Sequence, residues 1–185
     1  MSLTLSWDLL IILFIVLVVA YSFIVGKDAS VKIIVATYIS VVAVEAIGNI
    51  ALLVTSASTA SMVGLSLSPD VLAIGKLVLF AFAVVFMAMK GGIHVEMGSG
   101  FGTAWDLAIA AALGLSTSTL LLTSLVTYIT GKPLLDRTLA SAPALGGVEL
   151  TSPLVGAIVD YQHVWFAVPA ILLLVISFFG NRASE

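Results

Sequence analysis

Residues 9 to 25 contain no Asp, Glu, Lys or Arg, and nearly all of them are large and apolar. As a helix, seventeen such residues reach about 25 Å at 1.5 Å per residue. That approaches the roughly 20 apolar residues needed to cross a bilayer. Four further stretches read the same way, at about 31–54, 71–89, 107–130 and 164–179. A strand edge left open in lipid cannot satisfy its backbone groups, so a continuous apolar run must be helical. A membrane β-barrel would need alternating strands of about 9–11 residues, and these runs do not alternate. The fold class expected is therefore all-α, a polytopic transmembrane bundle of about five spans in one membrane domain.

Composition agrees with the pattern. Hydrophobic residues make up 61% of the 185 residues and charged residues 9%, where soluble domains carry about 25% charge. This excludes an ordinary soluble domain and a disordered chain. The net charge of −3 includes no basic run, so a nucleic-acid partner is not expected. There is no Cys and there are two His, which removes thiol chemistry and Cys-ligated metals. No nucleophile–base arrangement is visible. The Gly91-Gly92 and Gly98-Ser99-Gly100 spacings lack the Gly-Lys-Ser/Thr ending of a phosphate-binding loop. The chain is expected to be no enzyme and to hold no cofactor and no metal.

The first run has no Lys or Arg before it, while Lys27 and Lys32 follow it. That is the polarity of a retained span with its N-terminus outside, not of a cleaved signal. On this topology Lys27, Lys32, Lys90 and Arg182 lie inside, and Lys132 and Arg137 lie outside. The imbalance favours an N-out, C-in arrangement, expected in a cytoplasmic (inner) membrane.

The turns have readable signals. Gly26-Lys27-Asp28 closes span one, and Ser30 is the expected cap of span two. Ser68-Pro69-Asp70 opens span three, and Trp105-Asp106 opens span four. The longest connection, 132–162, is expected to be an outer amphipathic segment. It would hold one short surface helix at 134–140 and a helix starting at Ser152-Pro153, with Ser as cap and Pro at the first position. That helix either continues into span five or is hinged to it. Pro169, inside span five, should kink it. Trp7-Asp8-Leu9 and Trp105-Asp106-Leu107 are alike; paired interfacial anchors explain this better than an inverted repeat.

Glu45 and Lys76 are the conspicuous residues, because both fall deep inside apolar runs. A charge at mid-bilayer costs about 2.5–3.5 kcal/mol. Their depths along antiparallel spans differ by only about 4–5 Å, so they can pair and fix how spans two and three pack. Two alternatives stand beside this: Lys76 reaching outward with Glu45 protonated, or an ion or proton path through Glu45. Tyr38, Glu45, Gly48, Asn49 and Leu52 share one broad face. Gly48 would let a neighbouring backbone approach.

Span four carries Ser116, Thr119 and Thr123 among many hydroxyls. With Ala108, Ala112 and Thr127 they form one small, weakly polar face, suited to close helix packing or, alternatively, to lining water. Asp160 and His163, three apart, should share a helix face as a hydrated interfacial pair or a pH-sensitive site. His94 and Glu96 in the glycine-rich loop at 91–102 are a weak metal signal.

The opening Trp7-Asp8-Leu9-Leu10 running into Gly26-Lys27-Asp28 resembles that of CvpA-like (colicin V production) membrane proteins. Those begin with an acidic residue before span one and a Gly-plus-charge turn after it. The stretch Leu150-Thr151-Ser152-Pro153-Leu154 leading to Trp165 and Pro169-Ala170-Ile171-Leu172 is similar to the tails of bacterial relatives. The chain departs from the family's usual four spans and from its Arg-Gly turn. The resemblance implies a small inner-membrane protein tied to envelope integrity or secretion, and it transfers no functional residues. The leading expectation is a non-enzymatic scaffold or accessory subunit. Its partners would be the lipid bilayer and either further copies of itself or other membrane proteins. The alternative is a small ion or solute channel or transporter using Glu45.

Overall fold

A computed structural model describes residues 7–56, 69–90, 103–130 and 153–180. Its elements are α1 (Trp7–Val25), α2 (Lys27–Ser56), α3 (Pro69–Lys90), α4 (Thr103–Thr130), α5 (Pro153–Asp160) and α6 (Gln162–Gly180). No strand occurs among the described residues. Helices α1 to α4 are each long and apolar enough to cross a membrane. The apolar part of α6, Gln162–Phe178, is shorter. The expected surface helix at 134–140, the loop at 55–61 beyond Ser56, and the charges Lys132, Arg137 and Arg182 lie outside the described residues, as do His94 and Glu96.

The α1–α2 turn needs a single residue. Gly26 sits at φ +89°, a left-handed conformation that costs glycine little because it has no Cβ. Its amide donates to the Ser22 carbonyl at 2.9 Å, ending α1, and its carbonyl accepts from the Ser30 amide at 3.2 Å, beginning α2. This corrects the expected start of span two near residue 31. Ser30 is not the cap. It lies inside the first turn, and its hydroxyl donates back to the Gly26 carbonyl at 3.1 Å. A glycine that closes one helix and opens the next makes a separate cap unnecessary.

α4 is the central helix. It touches α1, α2, α3, α5 and α6, and 61% of its span is buried, against 11% for α1 and 6% for α3. One core joins Ile34 and Val44 of α2, Phe80 of α3, Leu113 and Leu120 of α4 and Phe166 of α6. A second joins Ile11 of α1, Leu122 and Val126 of α4 and Val155 of α5. At the closest α1–α4 approach, Gly114 faces Ser22 and Val19. Ser22 there donates to the Ala110 carbonyl at 3.2 Å and shares a hydrogen bond with the Ser30 hydroxyl at 2.5 Å. One small side chain thus ties α1, α2 and α4 together. Near the same ends, Lys27 pairs with Asp106 of the first turn of α4 at 3.0 Å. Asp106 lies inside α4, not before it, since the helix begins at Thr103.

The helix from Pro153 stops at Asp160, and α6 starts at Gln162. A single turn residue, Tyr161, joins them: its amide donates to the Ala157 carbonyl at 3.1 Å, and its carbonyl accepts from the Val164 and Trp165 amides.

Candidate functional site

The centre of interest is where α2, α3 and α4 meet. Glu45 stands eighteen residues after the first residue of α2, and Lys76 seven after that of α3. The Lys76 Nζ donates to a Glu45 carboxylate oxygen at 3.0 Å. The pair is only partly enclosed: the side chains are 29% exposed for Glu45 and 19% for Lys76. Gly48, one turn from Glu45, makes the geometry available. A Cβ there would overlap the Lys76 Cε. The glycine therefore receives a lysine stem, not the neighbouring backbone expected from the sequence. Buried along this groove, the aliphatic stem is shielded while the ammonium reaches the carboxylate.

α4 brings in Tyr128, which sequence reasoning missed. Its ring packs on Phe80 of α3, one turn from Lys76, with centroids 5.3 Å apart and planes tilted by 51°. Its hydroxyl is buried, makes no hydrogen bond among the described residues, and lies close enough to feel the charge of Glu45. The only sequence signal was a single tyrosine closing a span otherwise made of small, aliphatic and hydroxyl residues. That pattern equally describes an interfacial anchor.

Asn49 does not join this site. Its side chain is exposed and has no hydrogen-bond partner among the described residues. The 40° step between positions 45 and 49 on a 3.6-residue helix is enough to carry it past the α2–α3 groove.

Tyr38, two turns further from the pair, has a different task. Its hydroxyl donates to the Phe166 carbonyl at 2.5 Å, three residues before Pro169. That proline is fully buried inside α6, and its ring removes one backbone donor there. Removing the hydroxyl in Tyr38→Phe is expected to destabilise the bundle by about 1 kcal/mol. Reversible unfolding in mixed detergent micelles would measure it.

The hydroxyls of α4 do not form one polar face. Ser116, Thr117, Ser118, Thr123, Ser124 and Thr127 are all buried, Thr119 is partly exposed, and Ala108 is exposed. A helix that touches five others buries most of its circumference, so hydroxyls are buried beyond the face of Ser116, Thr119, Thr123 and Thr127 as well as on it. Most hydroxyls bond their own backbone: Thr119 to the Leu115 carbonyl at 3.0 Å, Thr123 to Thr119 at 2.7 Å, Thr127 to Thr123 at 2.6 Å and Ser124 to Leu120 at 2.9 Å. Back-bonding of this kind satisfies a hydroxyl without water and lets α4 stay polar in composition yet dry.

Asp160 and His163 were expected on one helix face. They fall on α5 and α6, on either side of the single turn residue Tyr161, and both are exposed. Among the described residues no group of three His, Cys, Asp or Glu could hold a metal ion.

The class defined by these features is a protein all-helical in its described residues, with four apolar helices of membrane-crossing length, one of which is the hydroxyl-rich central helix. Comparison with known proteins found no matching family model, no matching curated protein and no matching solved structure.

Proposed function

We propose that the chain is an integral membrane scaffold or accessory subunit that works by assembling with other membrane helices. The observation that carries this reading is how the polar groups inside the spans are used. Glu45 is neutralised by Lys76, and most α4 hydroxyls are turned onto their own backbone. Polar chemistry is spent on packing, while the peripheral helices present large apolar side chains outward, among them Val78, Phe82 and Phe86 of α3. We take α6 as a fifth span, α5 as an amphipathic helix at the outer face, and the membrane as the bacterial inner membrane with the N-terminus outside. The Lys and Arg positions support that orientation, and the Lys27–Asp106 pair supports the alternation of the spans, since it puts the end of α1 and the start of α4 at one surface. The resemblance to CvpA-like proteins supports a role in envelope integrity or secretion.

The test is native mass spectrometry and chemical cross-linking in nanodiscs and in native membranes. Oligomers or complexes are the expected result. A second reading, ion or solute passage at Glu45, is favoured by the partial exposure of the pair and the unpartnered Tyr128 hydroxyl beside it. A proteoliposome flux that is lost in Glu45→Gln, from a chain that stays monomeric, would replace the first reading with the second.

A further inference from the structure

Tyr128 is a tyrosine out of its usual place. It stands two residues before the end of α4 at Thr130, where a tyrosine in a membrane helix ordinarily carries its hydroxyl out to the interface. Here the side chain is turned inward. The residue is 3% exposed, and its hydroxyl is buried without a hydrogen bond among the described residues. A buried tyrosine hydroxyl usually finds a partner.

The surroundings say what that partner must be. The ring lies on Phe80, one turn from Lys76, and the hydroxyl is in range of the Glu45 charge. Lys76 engages Oε2 of that carboxylate. Oε1 has no hydrogen bond among the described residues, and an ionised carboxylate oxygen accepts about two. Tyr128 and Glu45 are not directly hydrogen-bonded, so their oxygens stand beyond about 3.5 Å, where a bridging molecule is the usual link. A metal cation in that gap would meet the Lys76 ammonium, and an anion would meet the Glu45 carboxylate. What fits is a small neutral molecule that both accepts and donates. It can enter between α2 and α3, where the side chains of Glu45 and Lys76 are 29% and 19% exposed.

We infer that Glu45, Lys76 and Tyr128 form one water-binding site, in which a water molecule accepts from the Tyr128 hydroxyl and donates to Glu45 Oε1. The Lys76 ammonium has N–H groups left for the same molecule. About three protein partners is the ordinary complement of a buried water. The bridge ties α4 to the α2–α3 pair. It suits a scaffold and an ion path alike, since it concerns what fills the site and not what the chain assembles with.

Water-edited solid-state NMR tests it, on the full chain in phosphatidylethanolamine–phosphatidylglycerol bilayers with 13C-labelled tyrosine. There are four tyrosines, so single Tyr→Phe variants assign the signals. Tyr38, whose hydroxyl is taken by the Phe166 carbonyl, is the internal reference. Transfer from water is expected to reach the Tyr128 ring several times faster than the Tyr38 ring. Glu45→Leu combined with Lys76→Met removes both charged partners without leaving either unpaired. It should slow the transfer to Tyr128 and leave that to Tyr38 unchanged. Equal rates at the two rings, or a Tyr128 rate untouched by the double substitution, overturn the site. Stability gives a second readout by its sign. Tyr128→Phe is expected to raise the unfolding equilibrium constant about fivefold, as for a lost hydrogen bond, and to do so by at least about twofold less in the double background. A Tyr128→Phe chain as stable as the wild type, or more so, shows a hydroxyl with no partner and overturns the proposal. An equal loss in both backgrounds shows a partner unconnected to the charged pair and overturns it too. Should the double variant not fold, the wild-type rates and Tyr128→Phe still decide.

Discussion

Lys76→Met is expected to destabilise the folded bundle by about 3 kcal/mol, the cost of leaving a partly enclosed carboxylate inside the span without its counter-charge. Glu45→Gln is expected to cost less. The asymmetry follows from position. Lys76 is seven residues, about 10 Å, from the start of α3. An unpaired lysine can extend its stem along that path toward the headgroups. Glu45 is eleven residues from the end of α2 and has a shorter side chain, so an unpaired carboxylate stays where it is. Double charge reversal, Glu45→Lys with Lys76→Glu, should recover part of the loss seen in either single reversal. Recovery stays partial because Gly48 is shaped around a lysine at position 76. Gly48→Leu, which fills that groove while keeping both charges, should weaken the α2–α3 contact as well. The readout is the unfolding midpoint in mixed micelles, with α2–α3 proximity followed by a pair of spin labels. Single reversals that leave the midpoint unchanged, or a double reversal with no recovery, would show that the pair does not hold the helices together.

The sequence made this pair visible because charges inside apolar runs have few explanations. It did not make visible what surrounds the pair. Tyr128 joins from α4 only because that helix crosses behind α3 near Phe80, and nothing in the spacing of one helix encodes where another crosses it. The same holds for Tyr38 and Pro169. The proline was legible inside its span, but the hydroxyl that bonds the backbone near it lies 128 residues away from Phe166 in sequence. The single turn residue between Asp160 and His163, Tyr161, was not legible either, since neither Pro nor Gly marks it. Asn49 shows the limit of a helical wheel from the other side: near the edge of a face, the neighbouring helices decide whether a residue is inside or out.

The α1–α4 contact gives the second large expected effect, in Gly114→Val. A Cβ at Gly114 would stand 2.7 Å from the Ser22 Cβ and 3.3 Å from the Val19 Cα. The first is closer than real carbon atoms approach, and the second is backbone, so no side-chain rotation relieves both. α1 must move away from α4. Replacing a helical glycine gains up to about 1 kcal/mol of backbone entropy, but overpacking costs about 1–3 kcal/mol. The displacement also breaks the hydrogen bond that Ser22 donates to the Ala110 carbonyl and its hydroxyl contact with Ser30. A net loss of about 2–3 kcal/mol follows, combining the strain with hydrogen bonds worth about 1 kcal/mol each. The strain propagates because Gly26 alone links α1 to α2, so a shift of α1 pulls on Lys27 and its pairing with Asp106. A double-mutant cycle separates the terms. Ser22→Gly removes the closest steric contact together with the hydrogen bonds, so Gly114→Ala should be less harmful in that background than alone, with a coupling of at least about 0.5 kcal/mol. Additive effects would mean that Ser22 and Gly114 do not meet, and the close approach of α1 to α4 would have to be redrawn.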